Sequence, residues 1–185
     1  MILDTSSAIH ALSHAYTWLN GPMEFIASIL IFLSVLVLLP LFMRKDGLRP
    51  LFTACIGVVI AILSTKLIGS IWYEPRPFVT HHFVPLVAHA ANASFPSDHL
   101  AVLGALTIAA WCGWKRLGII MGGIAILVAF ARVYAGIHYV HDVVGGAVLG
   151  ALCSSVVWYL LGLPICSQGI AYIDGKLHAW DIRRT

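Results

Sequence analysis

Apolar residues dominate five stretches of the chain, Met23 to Met43, Pro50 to Tyr73, Asp98 to Trp114, Arg116 to Tyr134 and Asp142 to Cys166. Each is long enough, or nearly so, to cross a hydrocarbon core with its backbone hydrogen bonds closed inside the segment. Ahead of them, Asp4, Thr5 and Ser6 precede Ile9, Leu12, Tyr16 and Leu19 at helical spacing, with a stop at Asn20, Gly21 and Pro22. That stretch is too short and too polar to span, and Tyr16 and Trp18 suit a headgroup layer. The pattern predicts an all-α polytopic membrane bundle of about five transmembrane helices plus an N-terminal interfacial helix, built as a single domain over residues 1–185. His10 and His14 stand four apart on the interfacial helix and read as a solvated face, because no third metal ligand is near them in sequence.

Composition sharpens this picture. Of the 185 residues, 60% are apolar and 10% are Asp, Glu, Lys or Arg, against roughly 25% charged in soluble domains. So few charges cannot cover a water-soluble surface. A mean hydropathy of +0.92 excludes disorder, and the diffuse net charge of +3 makes no nucleic-acid footprint. Cys55, Cys112, Cys153 and Cys166 lack any CxxC spacing and read as small core residues. The N-terminus has no basic region followed by a long apolar one, so no cleaved signal peptide is expected.

Basic residues set the orientation. Arg44, Lys45, Arg49, Lys115, Arg116, Lys176, Arg183 and Arg184 fall on one side of the five spans, which the positive-inside rule makes the cytoplasm. Lys66, Arg76 and Arg132 are left at the ends or interior of spans that face the other side, where a charge is costly and is a functional candidate by default.

Two outer links carry most of the polar chemistry: His81, His82, His89, His99, His138 and His141, with Arg76, Arg132, Glu74, Asp98 and Asp142. His138 and Asp142 are four apart, so at the start of a helix the carboxylate can hold one ring nitrogen and aim the other. Ser97 precedes a long apolar helix as a natural N-cap, beside N–H groups suited to an anion. Two guanidiniums converging with a helix N-terminus near an imidazole describe a phosphate site better than a carboxylate or metal site.

These residues resemble a family. Arg76-Pro77, then Pro96-Ser97-Asp98-His99, then Arg132 with His138 and Asp142, are similar to the three signature motifs of the type 2 phosphatidic acid phosphatases, over about Lys66 to Asp142. The runs Glu74 to Val79 and His89 to His99 further resemble the bacitracin-resistance undecaprenyl-diphosphate phosphatases. The resemblance implies a metal-free, cofactor-free, two-step hydrolysis of a polyprenyl diphosphate at the outer face of the cytoplasmic membrane. In it His138 is the nucleophile, Asp142 its partner and His99 the acid and base. Arg76, Arg132, Ser97 and the N–H groups around Asp98 bind phosphate.

The chain also departs from the family pattern. The usual first-motif lysine position is Gly69, and Lys66 lies one helical turn deeper, a gap of about 4.5 Å that its flexible stem can bridge. A usual glycine is Asp98, expected to face solvent or the helix N-terminus, and a usual serine is Ala131. His89 is a candidate for contact behind the site, His141 reads as a packing residue, and His81 and His82 as interfacial polar residues. Glu74 has two open roles, pairing with Arg76 or facing substrate. Other readings remain: a phosphatidate, phosphatidylglycerophosphate or broad lipid phosphatase, a small transporter, or a zinc enzyme using His81, His82 and His89. Oligomeric state is open.

Overall fold

The computed structural model describes residues 5–182, so the helix-start residue Asp4 and the basic residues Arg183 and Arg184 lie outside the described residues. Helices α1 (Thr5–Ala15), α2 (Asn20–Ser28) and α3 (Leu30–Ser34) are followed by a 3₁₀ segment, Val35–Met43. Then come α4 (Leu48–Ile71), the single turn α5 (Pro77–Thr80), α6 (Asp98–Gly113), α7 (Lys115–Tyr134), α8 (Val140–Leu161) and α9 (Pro164–Ile182). No strand occurs among the described residues.

Helices α4, α7 and α8 are each long and apolar enough to cross a membrane. The first expected span is instead a bent pair, Thr17–Ser28 and Leu30–Leu41, meeting at 52°. Beyond the bend, two features disturb the regular helix. Ser34 Oγ donates to the Ile31 carbonyl at 2.5 Å, a back-bond that competes with the helical ladder. Pro40 lies inside the 3₁₀ segment, where it removes a backbone donor. Helix α6 has only 16 residues, about 24 Å of rise against a core of about 30 Å.

The last expected span also ends early. Helix α8 stops at Leu161, and Pro164 opens a separate helix that the apolar run had concealed. Proline disfavours helical backbone in the residue before it and fits the first turn of a new helix, so one hydrophobic stretch becomes two elements.

Helix α6 is the hub, packed against α8, α7 and α4. Its approach to α8 is made by small residues. A Cβ on Gly150 would stand 1.8 Å from the Ala101 carbonyl oxygen, and one on Gly146 would stand 2.4 Å from that of Ser97. The two backbones therefore touch, as in small-residue membrane interfaces. That contact carries the start of α6, with Ser97, Asp98 and His99, up against the start of α8, with Asp142. Around this dry centre, Leu63, Leu67, Ile126 and Leu152 stand exposed on the outside of α4, α7 and α8, an apolar surface suited to lipid. Cys55 is on that outer surface and the other three cysteines are half-buried, all free; of the four expected core cysteines, Cys153 packs against the buried Ala61, Ala101 and Ala105, and Cys55 does not belong to the core.

Helix α1 is not a solvated layer on its histidine side. His10 Nδ1 lies 2.9 Å from the Tyr134 carbonyl, and its ring stacks on Phe83 with centroids 4.3 Å apart. Ser6 Oγ accepts from the Val140 amide at 3.1 Å, and Tyr134 Oη donates to Asn20 Oδ1 at 2.9 Å. Helix α1 is thus laid over the joint between α7 and α8, while His14 stays exposed.

Candidate active site

His138 occupies the five-residue joint between α7 and α8 and is almost wholly buried. Its Nε2 receives Arg76 Nη1 at 3.1 Å and Arg132 Nη2 at 3.2 Å. A guanidinium can only donate, so Nε2 carries the lone pair and the ring proton sits on Nδ1. Nδ1 in turn donates to Asp142 Oδ2 at 3.2 Å. The hydrogen-bond pattern thus fixes one neutral tautomer with its unprotonated nitrogen held between two cations.

Each partner is held in place by the local fold. Asp142 is the third residue of α8, and its Oδ2 caps the helix by accepting the Tyr139 amide at 2.8 Å; the same oxygen accepts Ser94 Oγ at 2.5 Å. Arg76 leaves α4 through Pro75 and Pro77 and is forked onto Asn92 Oδ1 at 3.0 and 2.9 Å. It also donates to the carbonyls of Ala93 and Ile137. Arg132, in the last turn of α7, reaches the Ala27 carbonyl and His89 Nε2, and its buried Nε has no partner among the described residues.

Electrostatics follow from this enclosure. Burial pushes the His138 pKa down to about 3, with the two arginines reinforcing the shift and Asp142 opposing it. Burial also lowers the pKa of Arg76, against the pull of Asp142, and that of His89, where Arg76 and Arg132 add to the effect. Two buried guanidiniums facing a neutral imidazole leave a strong positive field. A phosphoryl group, with three acceptor oxygens sharing up to about two negative charges, is the ligand that such a field fits.

The remaining expected residues divide. Ser97 holds the N-cap position of α6, but its hydroxyl makes no capping bond. It is buried without a partner among the described residues, while its amide donates to the Asp142 carbonyl at 3.1 Å. The side chain that was expected to cap α6 is thus unused by the helix and available to another acceptor or donor. Asp98 stays partly open to solvent, its side chain 40% exposed, but it is also paired. Its carboxylate takes Thr65 Oγ1 and Lys66 Nζ, both at 2.5 Å.

Lys66 is consequently tied to Asp98 rather than to the arginines, at the edge of a cavity of about 310 Å³ that Arg76 and Asn92 also line. His99 is half-buried in the first turn of α6, within electrostatic range of Arg132 and His138. A second cavity of about 340 Å³, lined by Ser6, His10, Phe83 and Gly136, reaches His138 itself.

Asn92 and Ser94 escaped the sequence reading although they lie in the run it singled out. The available signal was a pair of polar residues just before Pro96-Ser97, in a link otherwise rich in alanine. Glu74 pairs with neither Arg76 nor solvent alone; its Oε1 takes His141 Nε2 at 2.9 Å. Among the described residues, the group of three with metal-ligand atoms within 4.8 Å of one another is Glu74, His141 and Asp142, and His81, His82 and His89 form no such group.

An all-helical membrane protein with this pocket belongs to the class of membrane-embedded phosphatases, and comparison with known proteins agrees. Residues 50–164 match the PAP2 superfamily, and the chain belongs to that family. It is 36% identical over 151 residues to undecaprenyl-diphosphatase BcrC of Bacillus subtilis (strain 168), covering 78% of this chain and 76% of that protein. It is 31% identical to the putative undecaprenyl-diphosphatase YbjG of Escherichia coli (strain K12), covering 86% and 84% of the two chains. Among solved structures, the PAP2 type phosphatidylglycerolphosphate phosphatase from Bacillus subtilis superposes with a TM-score of 0.60 at 30% identity, covering 85% of this chain and 88% of that one.

Proposed function

We propose that this chain, as one integral-membrane domain over residues 1–185, removes the terminal phosphate of undecaprenyl diphosphate. The product, undecaprenyl phosphate, is released at the outer face of the cytoplasmic membrane, recycling the lipid carrier of cell-wall synthesis and conferring bacitracin resistance. The observation that carries the reading is the placement of His138 Nε2 between Arg76 and Arg132. The substrate assignment is supported by the names of the two curated relatives, and the outward orientation by the basic links at the opposite ends of α4, α6 and α7.

In the first step Nε2 attacks the terminal phosphorus in line. A P–N bond forms as the bridging P–O bond breaks, and His99 gives a proton to the leaving lipid phosphate. The imidazole becomes cationic, and Asp142 stabilises it through Nδ1–H. Arg76, Arg132, the Ser97 hydroxyl and N–H groups around Asp98 and His99 take the phosphoryl oxygens, where positioning and charge supply most of the acceleration. Lys66, released from Asp98, meets the second phosphate. In the second step His99 takes a proton from water, which attacks phosphorus as the P–N bond breaks, returning neutral His138 and inorganic phosphate. The residues require no metal for either step.

A labelled diphosphate lipid should leave acid-labile phosphate on His138, and none on His138→Gln. Purified protein assayed in parallel on polyprenyl diphosphate, phosphatidylglycerophosphate and phosphatidate should prefer the first. A preference for either glycerolipid would keep the chemistry and overturn the substrate. Turnover without any label on His138 would overturn the mechanism.

A further inference from the structure

Outside the phosphate pocket, three side chains converge at the start of α8. His141 Nε2 lies 2.9 Å from Glu74 Oε1 and 3.3 Å from Asp142 Oδ1. The sequence leaves Glu74 with two open roles and His141 with one of packing, and the proposed mechanism uses neither. Asp142 supplies the third atom. Its Oδ2 is saturated by Ser94, Tyr139 and His138, whereas Oδ1 is fully buried and takes no hydrogen bond from any described residue. An unsatisfied buried carboxylate oxygen is expensive, and it is aimed at the nitrogen of a half-exposed imidazole.

We propose that Glu74, His141 and Asp142 form a binding site for a divalent transition metal of the zinc class, and that its occupancy inhibits the enzyme. The geometry fits that ion. Bonds of about 2.0 to 2.2 Å in a tetrahedron put neighbouring ligand atoms about 3.3 to 3.6 Å apart; the His141–Asp142 separation of 3.3 Å already matches, the His141–Glu74 separation of 2.9 Å needs a small opening, and all three atoms lie within 4.8 Å of one another. One imidazole with two carboxylates suits zinc or cobalt better than magnesium or calcium, which favour all-oxygen shells.

The His141 ring is steadied by stacking on Tyr139, with centroids 5.2 Å apart and planes 8° from parallel. With His141 Nε2 hydrogen-bonded to Glu74, that nitrogen holds the ring proton in the metal-free state, and metal binding there requires the neutral ring to carry its proton on Nδ1 instead. The side chain of His141 is 56% exposed, which gives the ion a path in and leaves its fourth position to water.

The inhibitory part rests on the proposed roles of His138 and Asp142. A dication on Oδ1 neutralises the carboxylate whose negative charge stabilises the imidazolium formed when His138 is phosphorylated. The phosphoryl-accepting nitrogen stays where it is, but its cationic state loses its counter-charge.

The test uses the full chain, purified in detergent and stripped of metal, with Co²⁺ as a visible probe and no lipid substrate. One Co²⁺ should bind with the intense absorption of a tetrahedral site, and Glu74→Gln and His141→Gln should each weaken it by more than about tenfold. Millimolar Mg²⁺ should not displace it. On diphosphate lipid, Zn²⁺ should inhibit reversibly with chelator, and the two variants should need correspondingly more. Absence of a tetrahedral Co²⁺ signal, or equal binding by wild type and variants, overturns the site. Equal Zn²⁺ inhibition of wild type and variants overturns the inhibitory role and points to zinc captured by the substrate. Because Co²⁺ binding is read without turnover, failure of the phosphatase reading would not be mistaken for failure of the site.

Discussion

Arg76 Nη1 and His138 Nε2 lie 3.1 Å apart although 62 residues separate them in the chain. The contact is built from both sides. Arg76 spends its other donors on Asn92, Ala93 and Ile137, so the guanidinium is fixed before any substrate arrives. Replacement by lysine keeps the charge and loses the fork. Arg76→Lys should lower kcat by about 10² to 10³, the cost of removing one preorganised donor. Steady-state kinetics on diphosphate lipid checks this, and a loss below tenfold would show that charge alone suffices.

Asp142 both caps α8 and holds the His138 tautomer through one oxygen. Asp142→Asn preserves the shape but removes the negative charge and permits the wrong tautomer. Activity should fall about 10³- to 10⁴-fold, as when such a carboxylate is lost from a nucleophile–His–Asp arrangement. Ser94→Ala removes only a hydroxyl donor to the same oxygen, worth about 1 kcal/mol, or roughly fivefold in rate. Reversing that order would make Ser94, rather than the charge of Asp142, the determinant.

Stability should depend on pH through His138. Its pKa is about 3 in the folded chain and about 6.5 in an unfolded one. Below about 6.5 the unfolded chain gains a proton that the folded chain refuses, so stability falls as pH drops toward 3. The slope from this group is at most about 1.4 kcal/mol per pH unit, and it vanishes above about 6.5. Denaturant midpoints in detergent at pH 5 and 7.5 should differ less for His138→Gln than for wild type. An unchanged difference would remove His138 as the source.

How much of this was legible depended on whether a feature is local. The polar clusters at His138 to Asp142 and Ser94 to His99 could be read because helical spacing and N-terminal position are short-range properties. The end of α8 could have been read at Pro164, but the apolar run through Cys166 hid it. The burial of His10 was not legible, since only the folding of α1 over Tyr134 and Phe83 decides which of its faces is wet. The same holds for Asp98. Its neighbours Thr65 and Lys66 come from α4, more than 30 residues earlier, and no local rule pairs them.

The α6–α8 seam makes a prediction about packing. A methyl group on Gly150 would meet the Ala101 carbonyl oxygen at 1.8 Å, which is backbone and cannot turn away. Gly150→Ala should therefore force the helices apart, costing about 1 to 3 kcal/mol and displacing Ser97 from Asp142. Lower thermal stability with lower kcat is expected. Gly123→Ala is the control, since nothing lies within 4 Å of its added carbon, and equal effects of the two substitutions would dismiss the seam.

His99 distinguishes substrates by their leaving groups. A lipid phosphate leaving from a diphosphate already carries its negative charge well, whereas the alkoxide leaving from a lipid monophosphate needs a proton as the P–O bond breaks. Loss of a general acid costs about 10² to 10⁴ where protonation is needed, so His99→Ala should slow phosphorylation of His138 by a monophosphate lipid far more than by a diphosphate lipid. Overall turnover would blur this contrast, because water attack on the phosphohistidine requires the same residue for both substrates. Rapid-quench measurement of label appearing on His138 isolates the first step. Equal slowing there by both substrates would remove His99 from the leaving-group side and leave it only the activation of water.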